Sequence, residues 1–159
     1  MIAGDLAEFA EFSGPLMGLD LGTKTIGVAV SDGLRLTATG IETIRRKKFT
    51  SDVARLAELI ADRGISGIVL GLPRNMDGSE GPRCQATRAF ARNLDGVIAL
   101  PIAFWDERLS TVAAERALLE ADSSRKRRAD VIDTVAAAYI LQGALDRLSQ
   151  IARAETGGR

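Results

Sequence analysis

Histidine is absent from this chain and cysteine occurs once. Without histidine, neither a Ser-His-Asp nor a Cys-His catalytic unit can be assembled. A single cysteine cannot complete the usual four-ligand zinc site. Nor can it close an internal disulfide, which points to a reducing compartment. Aromatic residues make up only 4%, so base stacking is no visible mode of recognition. Long apolar runs are also missing. The longest, Val97–Trp105, spans nine residues and contains Pro101, too short to cross a bilayer. The amino terminus is acidic and lacks the basic start of a signal peptide, so the cytoplasm is the expected location.

What is plentiful is carboxylate and arginine. The 159 residues are 46% hydrophobic and 26% charged, as expected of one globular domain with a real core. The 21 basic and 21 acidic residues cancel. The balance is uneven along the chain, however. Residues 1–16 carry Asp5, Glu8 and Glu11 and no base, leaving the remainder at 21 − 18 = +3. Of the 21 basic residues, 17 are Arg and 4 are Lys. The arginine fork suits bidentate phosphate contacts, although a GC-rich genome produces the same bias. An enzyme built from this inventory would work with Asp and Glu, a hard metal ion and arginine.

Periodicity and turn residues set out the elements. Residues 1–14 form an acidic extension with a helical turn near Leu6–Phe12, stopped at Gly14-Pro15. Leu16–Leu21, Thr25–Ser31 and Arg35–Thr43 read as strands, the last pair joined through an Asp32-Gly33 hairpin turn. Ser51 is placed to cap a helix that Gly64 ends near Arg63. Ile65–Leu70 is a buried strand, followed by a Gly- and Pro-rich loop, Gly71–Pro82, and a helix to about Leu94. Val97–Trp105 is a fifth strand. Thr111–Ala121 and Ala129–Leu148 read as helices separated by the basic segment Ser123–Arg128, and Glu155–Arg159 as a disordered tail. The domain expected is 15–150, with 151–159 beyond it. The order β-β-β-α-β-α-β-α-α implies a mixed five-stranded sheet with helices on its faces. Functional residues are then expected at the carboxyl ends of its central strands.

Three places could carry acid chemistry. Asp20 ends the first strand before Gly22-Thr23-Lys24, where a phosphate could approach closely; an Asp bracing its own turn is the commoner use of such a residue. Asp106 and Glu107 end the fifth strand. Side chains alternate along a strand, so only one of the two can share Asp20's face. Both could equally be solvated, with Arg108 as an ion-pair partner. Asp133 sits within an otherwise apolar helix run. Asp130, three residues earlier, is better explained by the helix N-terminal dipole. Three acids meeting at one sheet edge would bind Mg²⁺ or Mn²⁺ through oxygen. Two such ions suit phosphodiester hydrolysis.

Arg45-Arg46-Lys47-Lys48 and Arg125-Lys126-Arg127-Arg128 are basic runs, each expected in a loop beside a helix start. They would hold a polyanion's backbone or simply be solvated. Arg74 and Asn75, in the loop after the fourth strand, are candidate backbone contacts or parts of a tight turn. Cys84 reads as an inert small residue at a helix start.

These residues also carry a resemblance. Asp20-Leu21-Gly22-Thr23-Lys24 with Ile26-Gly27-Val28-Ala29, Gly71-Leu72-Pro73, Asn75–Glu80, Asp106–Thr111, Val131-Ile132-Asp133, Ala136-Ala137 and Ile140-Leu141 run in order over about residues 16–148. In this pattern the chain resembles the YqgF/RuvX proteins, described as pre-16S rRNA nucleases or Holliday-junction resolvases. The resemblance implies a ribonuclease-H-like fold and a divalent-metal site of Asp20, Asp133 and one of the pair Asp106/Glu107, with Glu107 favoured. It places Lys24 and Arg108 beside the scissile phosphate. Thr25 departs from the family pattern, where many relatives have Arg, and residues 1–14 lie outside it. The activity implied is metal-dependent endonucleolytic cleavage of structured RNA at the 5′ end of pre-16S rRNA. A four-way DNA junction is the alternative substrate and would call for a symmetric homodimer. Asp20–Lys24 is also similar to the phosphate-binding hairpin of actin-like and sugar-kinase-like proteins, which need two such domains. A non-catalytic nucleic-acid-binding module is a third reading.

Overall fold

The computed structural model describes residues 1–109 and the backbone of 125–157, with side chains in the second segment from 134 to 155. Five strands form one mixed sheet: β1 Leu16–Leu21, β2 Thr25–Ser31, β3 Ala38–Arg45, β4 Gly67–Leu72 and β5 Ile102–Asp106, in the order β3-β2-β1-β4-β5. The first three are antiparallel; β1, β4 and β5 run parallel. The helices are α1 Phe49–Arg63, α2 Pro82–Asp95 and α3 Arg125–Gly157. The expected α/β class and mixed five-stranded sheet are therefore present.

Strand alternation divides the core in two. Met17, Leu19, Ile26, Val28, Ile68, Leu70 and Ile102 pack beneath α1 and α2, against Leu56, Leu59, Phe90 and Leu94. Leu16, Ala29, Val69, Ala103 and Trp105 face the other way, under Ala136, Ala137, Ile140, Leu141, Ala144 and Leu145 of α3. This second face is built from small residues. A Cβ on Gly18 of β1 would stand 2.7 Å from the Leu141 Cβ and 3.1 Å from the Ala137 carbonyl. A Cβ on Gly40 of β3 would stand 2.6 Å from the Thr134 carbonyl, and one on Gly71 of β4 would collide with Ile140. The missing side chains let the α3 backbone lie directly on the sheet.

Several element boundaries differ from expectation, and tertiary contacts explain most of them. Strand β3 begins at Ala38, not Arg35, because Asp32 organises a wider loop than a two-residue turn. Its carboxylate accepts from the amides of Leu36 and Thr37, both at 2.8 Å. Arg35 in that loop takes a left-handed φ of 59° and donates to the carbonyls of Gly14 and Phe9. Helix α1 starts at Phe49; Ser51 lies inside its first turn and donates to the Lys48 carbonyl rather than capping. Strand β4 is displaced two residues onward from Ile65–Leu70, since its register with β1 opens at Leu16↔Gly67. Strand β5 opens at Ile102 rather than Val97. Val97 is exposed, and the amides of Val97 and Ile98 both bond back to the Leu94 carbonyl at the end of α2. Helix α3 is longer than expected at both ends. It contains Arg125–Arg128, which were expected in a loop, and it continues past Leu148 to Gly157, with Ile151 packed on the core. The expected helix Thr111–Ala121 lies outside the described residues.

The acidic extension is built into the fold. Asp5 caps a 3-10 helix, Leu6–Glu11, in a reciprocal capping box with Glu8. Leu6 and Phe9 are buried in the α3-side core. Before it, the chain runs beside β5: Ala3 donates to the Ile102 carbonyl and Ile102 to the Met1 carbonyl. This strap covers the outer edge of β5 and blunts it against pairing with another strand. No described helix is long and apolar enough to cross a membrane.

The close approach of α3 generates a prediction. Gly18→Ala inserts a methyl where Leu141 and the Ala137 carbonyl already stand, and overpacking of this kind costs about 1–3 kcal/mol. Urea denaturation should show a lower midpoint with an unchanged m-value.

Candidate nucleic-acid active site

Asp20 is the penultimate residue of β1. Its parity is that of Leu16 and Gly18, so it belongs to the α3 face, and it is only 6% exposed. The register Leu19↔Leu70, carried one residue on, sets Asp20 beside Gly71, about 4.8 Å away across the sheet. Glu107 follows directly on β5 and opens a 3-10 turn, Glu107–Leu109. Its carboxyl carbon lies 3.4 Å from where a Cβ of Gly71 would be. Gly71 is thus the floor on which the Glu107 carboxyl rests, one strand from Asp20.

Asp106 takes the opposite face. It has the parity of Ile102, on the α1–α2 side, and pairs in register with Leu72. Its carboxylate accepts from the Arg108 backbone amide at 3.0 Å, from Arg108 Nε at 3.1 Å and from Nη2 at 2.6 Å. The Arg108 guanidinium holds the Asp106 carboxyl below the usual carboxylate range. The alternation rule said that one member of this pair would share Asp20's face, and that member is Glu107.

Asp133 lies in α3 one turn before Ala137, the residue whose carbonyl meets Gly18; the side chains of Asp133 and Asp130 lie outside the described residues. Among the described residues no group of three acidic, histidine or cysteine side chains is poised for a metal.

The basic candidates are placed unevenly. Lys24 stands exposed on the turn after Asp20. Arg108 is committed to Asp106 and leans over Gly78, whose φ of 89° needs glycine. Arg74 pairs with Glu80 at 3.3 Å, and Glu80 in turn takes two 2.6 Å bonds from Arg88. Those Arg88 bonds are the main reason the Glu80 carboxyl sits below its ordinary value. The Asn75 side-chain amide donates to Ser79 within its own turn. The side chains of Arg125, Lys126, Arg127 and Arg128 lie outside the described residues, on the first turn of α3. Cys84 is buried, and burial pushes its thiol up.

Arg46 was visible in the sequence only as one member of a basic run. Its Nη1 donates to the Gly22 carbonyl at 2.6 Å and its backbone amide to the Lys24 carbonyl at 2.8 Å. It therefore braces the turn that follows Asp20.

Residues 14–147 match the RuvX family, described as Holliday junction resolvase. A protein of Cereibacter sphaeroides (strain ATCC 17025) named "Putative pre-16S rRNA nuclease" is 74% identical over 141 residues, 89% of this chain and 88% of that protein. One of the same name from Paracoccus denitrificans is 66% identical over 158 residues, 98% of this chain and all of that protein. Among solved structures, Thermus thermophilus RuvC in complex with a Holliday junction matches with a TM-score of 0.52 at 12% identity, covering 86% of this chain and 96% of that one. The shared architecture is the ribonuclease-H-like fold.

The Asp106–Arg108 pair sets a pH dependence. A carboxyl depressed in the folded state adds stability above its ordinary pKa and loses it as pH falls through the depressed value. Thermal melts from about pH 5 down to about pH 3 should therefore fall less steeply for Asp106→Asn than for the unsubstituted protein.

Proposed function

Because the chain belongs to the RuvX family, we propose that it is a metal-dependent endonuclease hydrolysing phosphodiester bonds in structured nucleic acid. The proposed substrate is the 5′ end of pre-16S rRNA and the proposed setting the cytoplasm. The observation that carries this reading is the position of Asp20 and Glu107 at the carboxyl ends of the two strands that flank β4, with the Glu107 carboxyl against Gly71. The names of the relatives support RNA as substrate.

An oxygen-only donor set suits Mg²⁺ or Mn²⁺. Asp20, Glu107 and, from the first turns of α3, Asp133 would hold it. When bound, such an ion supplies Lewis-acid polarisation and a more acidic water. The chain's own residues do the rest. Burial of Asp20 keeps its oxygens fixed for coordination. Lys24, exposed on the adjoining turn, contacts a substrate phosphate while Arg46 braces that turn. The basic first turn of α3, Arg125–Arg128, receives the backbone further along the strand. Asp106 acts through Arg108 to hold the turn that carries Glu107 and is no ligand itself.

Cleavage of a pre-16S leader RNA and of a four-way DNA junction, each with Mg²⁺ and with Mn²⁺, tests the reading. RNA cleavage that chelation abolishes is expected; paired symmetric cuts in the junction alone would move the assignment to resolution by a homodimer. Asp20→Asn and Glu107→Gln should each lose on the order of 10³-fold in kcat with RNA binding retained. Asp106→Asn, acting at one remove, should lose about 10–100-fold. Equal losses at 106 and 107 would refute the division of labour between them.

A further inference from the structure

A cavity of about 370 Å³ opens at the same edge of the sheet, between the amino-terminal segment and the ends of β4 and β5. Its apolar walls include Ile2, Leu72 and Phe104, and its polar lining is Arg74, Arg88, Asp106 and Asp5. Leu72 and Asp106 are register partners at the carboxyl ends of β4 and β5. Asp106 adjoins Glu107, about 3.8 Å away along the chain. The cavity thus begins one residue from the proposed cleavage site.

We infer that this cavity receives an unstacked nucleobase from the substrate strand beside the scissile phosphate. The inference rests on the nuclease reading. Three features select a base over an anion. The lining is charge-balanced, two arginines against two aspartates, so a phosphate would gain nothing net. Arg74, which lines the cavity, holds a buried Nε with no acceptor among the described residues, and a turn of its side chain into the cavity gives that donor a base oxygen or ring nitrogen. Asp5, whose Oδ1 caps the 3-10 helix, keeps Oδ2 as an acceptor for a base amino group, and the Arg88 guanidinium lies 4.9 Å over the Phe104 ring. Residues 2–5 build one side of the cavity and lie outside the 14–147 family match, whereas the Paracoccus denitrificans relative aligns along nearly the whole chain. The amino-terminal strap therefore adds a base-selective subsite to the common nuclease framework.

The arginine Nε–H resonances of the full-length protein report this directly. Arg74→Lys, which keeps the charge opposite Glu80, identifies the Arg74 signal. Titration with the four nucleoside monophosphates should shift that signal with at least one of them, while inorganic phosphate leaves it in place. No shift with any nucleotide, or an equal shift with inorganic phosphate, would overturn the proposal. In kinetics on the leader RNA, Arg74→Lys should raise KM about tenfold with a smaller change in kcat; an unchanged KM counts against the subsite. Asp20→Asn separates the two claims: if it still cleaves while nucleotides shift Arg74, the active-site reading falls and the base pocket stands. If Asp20→Asn is inactive and nucleotides leave Arg74 unmoved, only the pocket falls.

Discussion

The contact on which the rest of the structure depends is that of α3 with the bare glycines of the sheet. Gly40, Gly18 and Gly71 lie on β3, β1 and β4, and at each one a Cβ would strike α3. Removing those methyls lowers the helix onto the sheet, where its alanines and Ile140 and Leu141 complete a dense second core. The same approach sets the position of the site. Gly71 makes room for Ile140 and for the Glu107 carboxyl, and Thr134 of α3, the residue after Asp133, meets Gly40 of β3. Packing and the candidate site thus meet at Gly71.

Charge is used mainly to hold loops. A chain with 17 arginines invites a reading of polyanion binding throughout. Yet Arg35 ties the β2–β3 loop to the amino-terminal segment, Arg55 forks onto Glu42, Arg88 onto Glu80 and Arg108 onto Asp106. These pairs join segments distant in sequence or close tight turns, which is where a planar fork with directional donors outperforms an ammonium. Among the described basic residues, Lys24 stands exposed on the turn after Asp20.

The cyclic logic of strand alternation also explains why two neighbouring acids have different surroundings. Glu107 rests beside Gly71 on the α3 side. Asp106 is turned to the α1–α2 side, paired with Arg108 and lining a mixed cavity. One peptide unit separates two chemically distinct compartments at the same edge.

Much of this was legible in the chain itself. Leu16–Leu21 and Thr25–Ser31 read as strands at their observed limits, because continuous apolar or β-branched runs bounded by Gly-Pro and Gly-Thr-Lys have little choice of structure. The strand-helix alternation after them implied a mixed sheet, and the Asp20, Gly71 and Asp106–Glu107 motifs fell at carboxyl ends. What composition and spacing could not decide were features set by residues far apart in sequence. Arg35, bonded to Gly14 and Phe9, delays β3; Ile151 on the core extends α3; the amino-terminal strap finds its partner 100 residues away on β5. Which of two adjacent acids lies against Gly71 is likewise decided only once β5 has an actual starting residue and a neighbour to pair with. Local pattern determines the elements, because backbone preference acts over a few residues. Only the closed tertiary structure determines their ends and facing, because those depend on contacts the chain makes after it has folded.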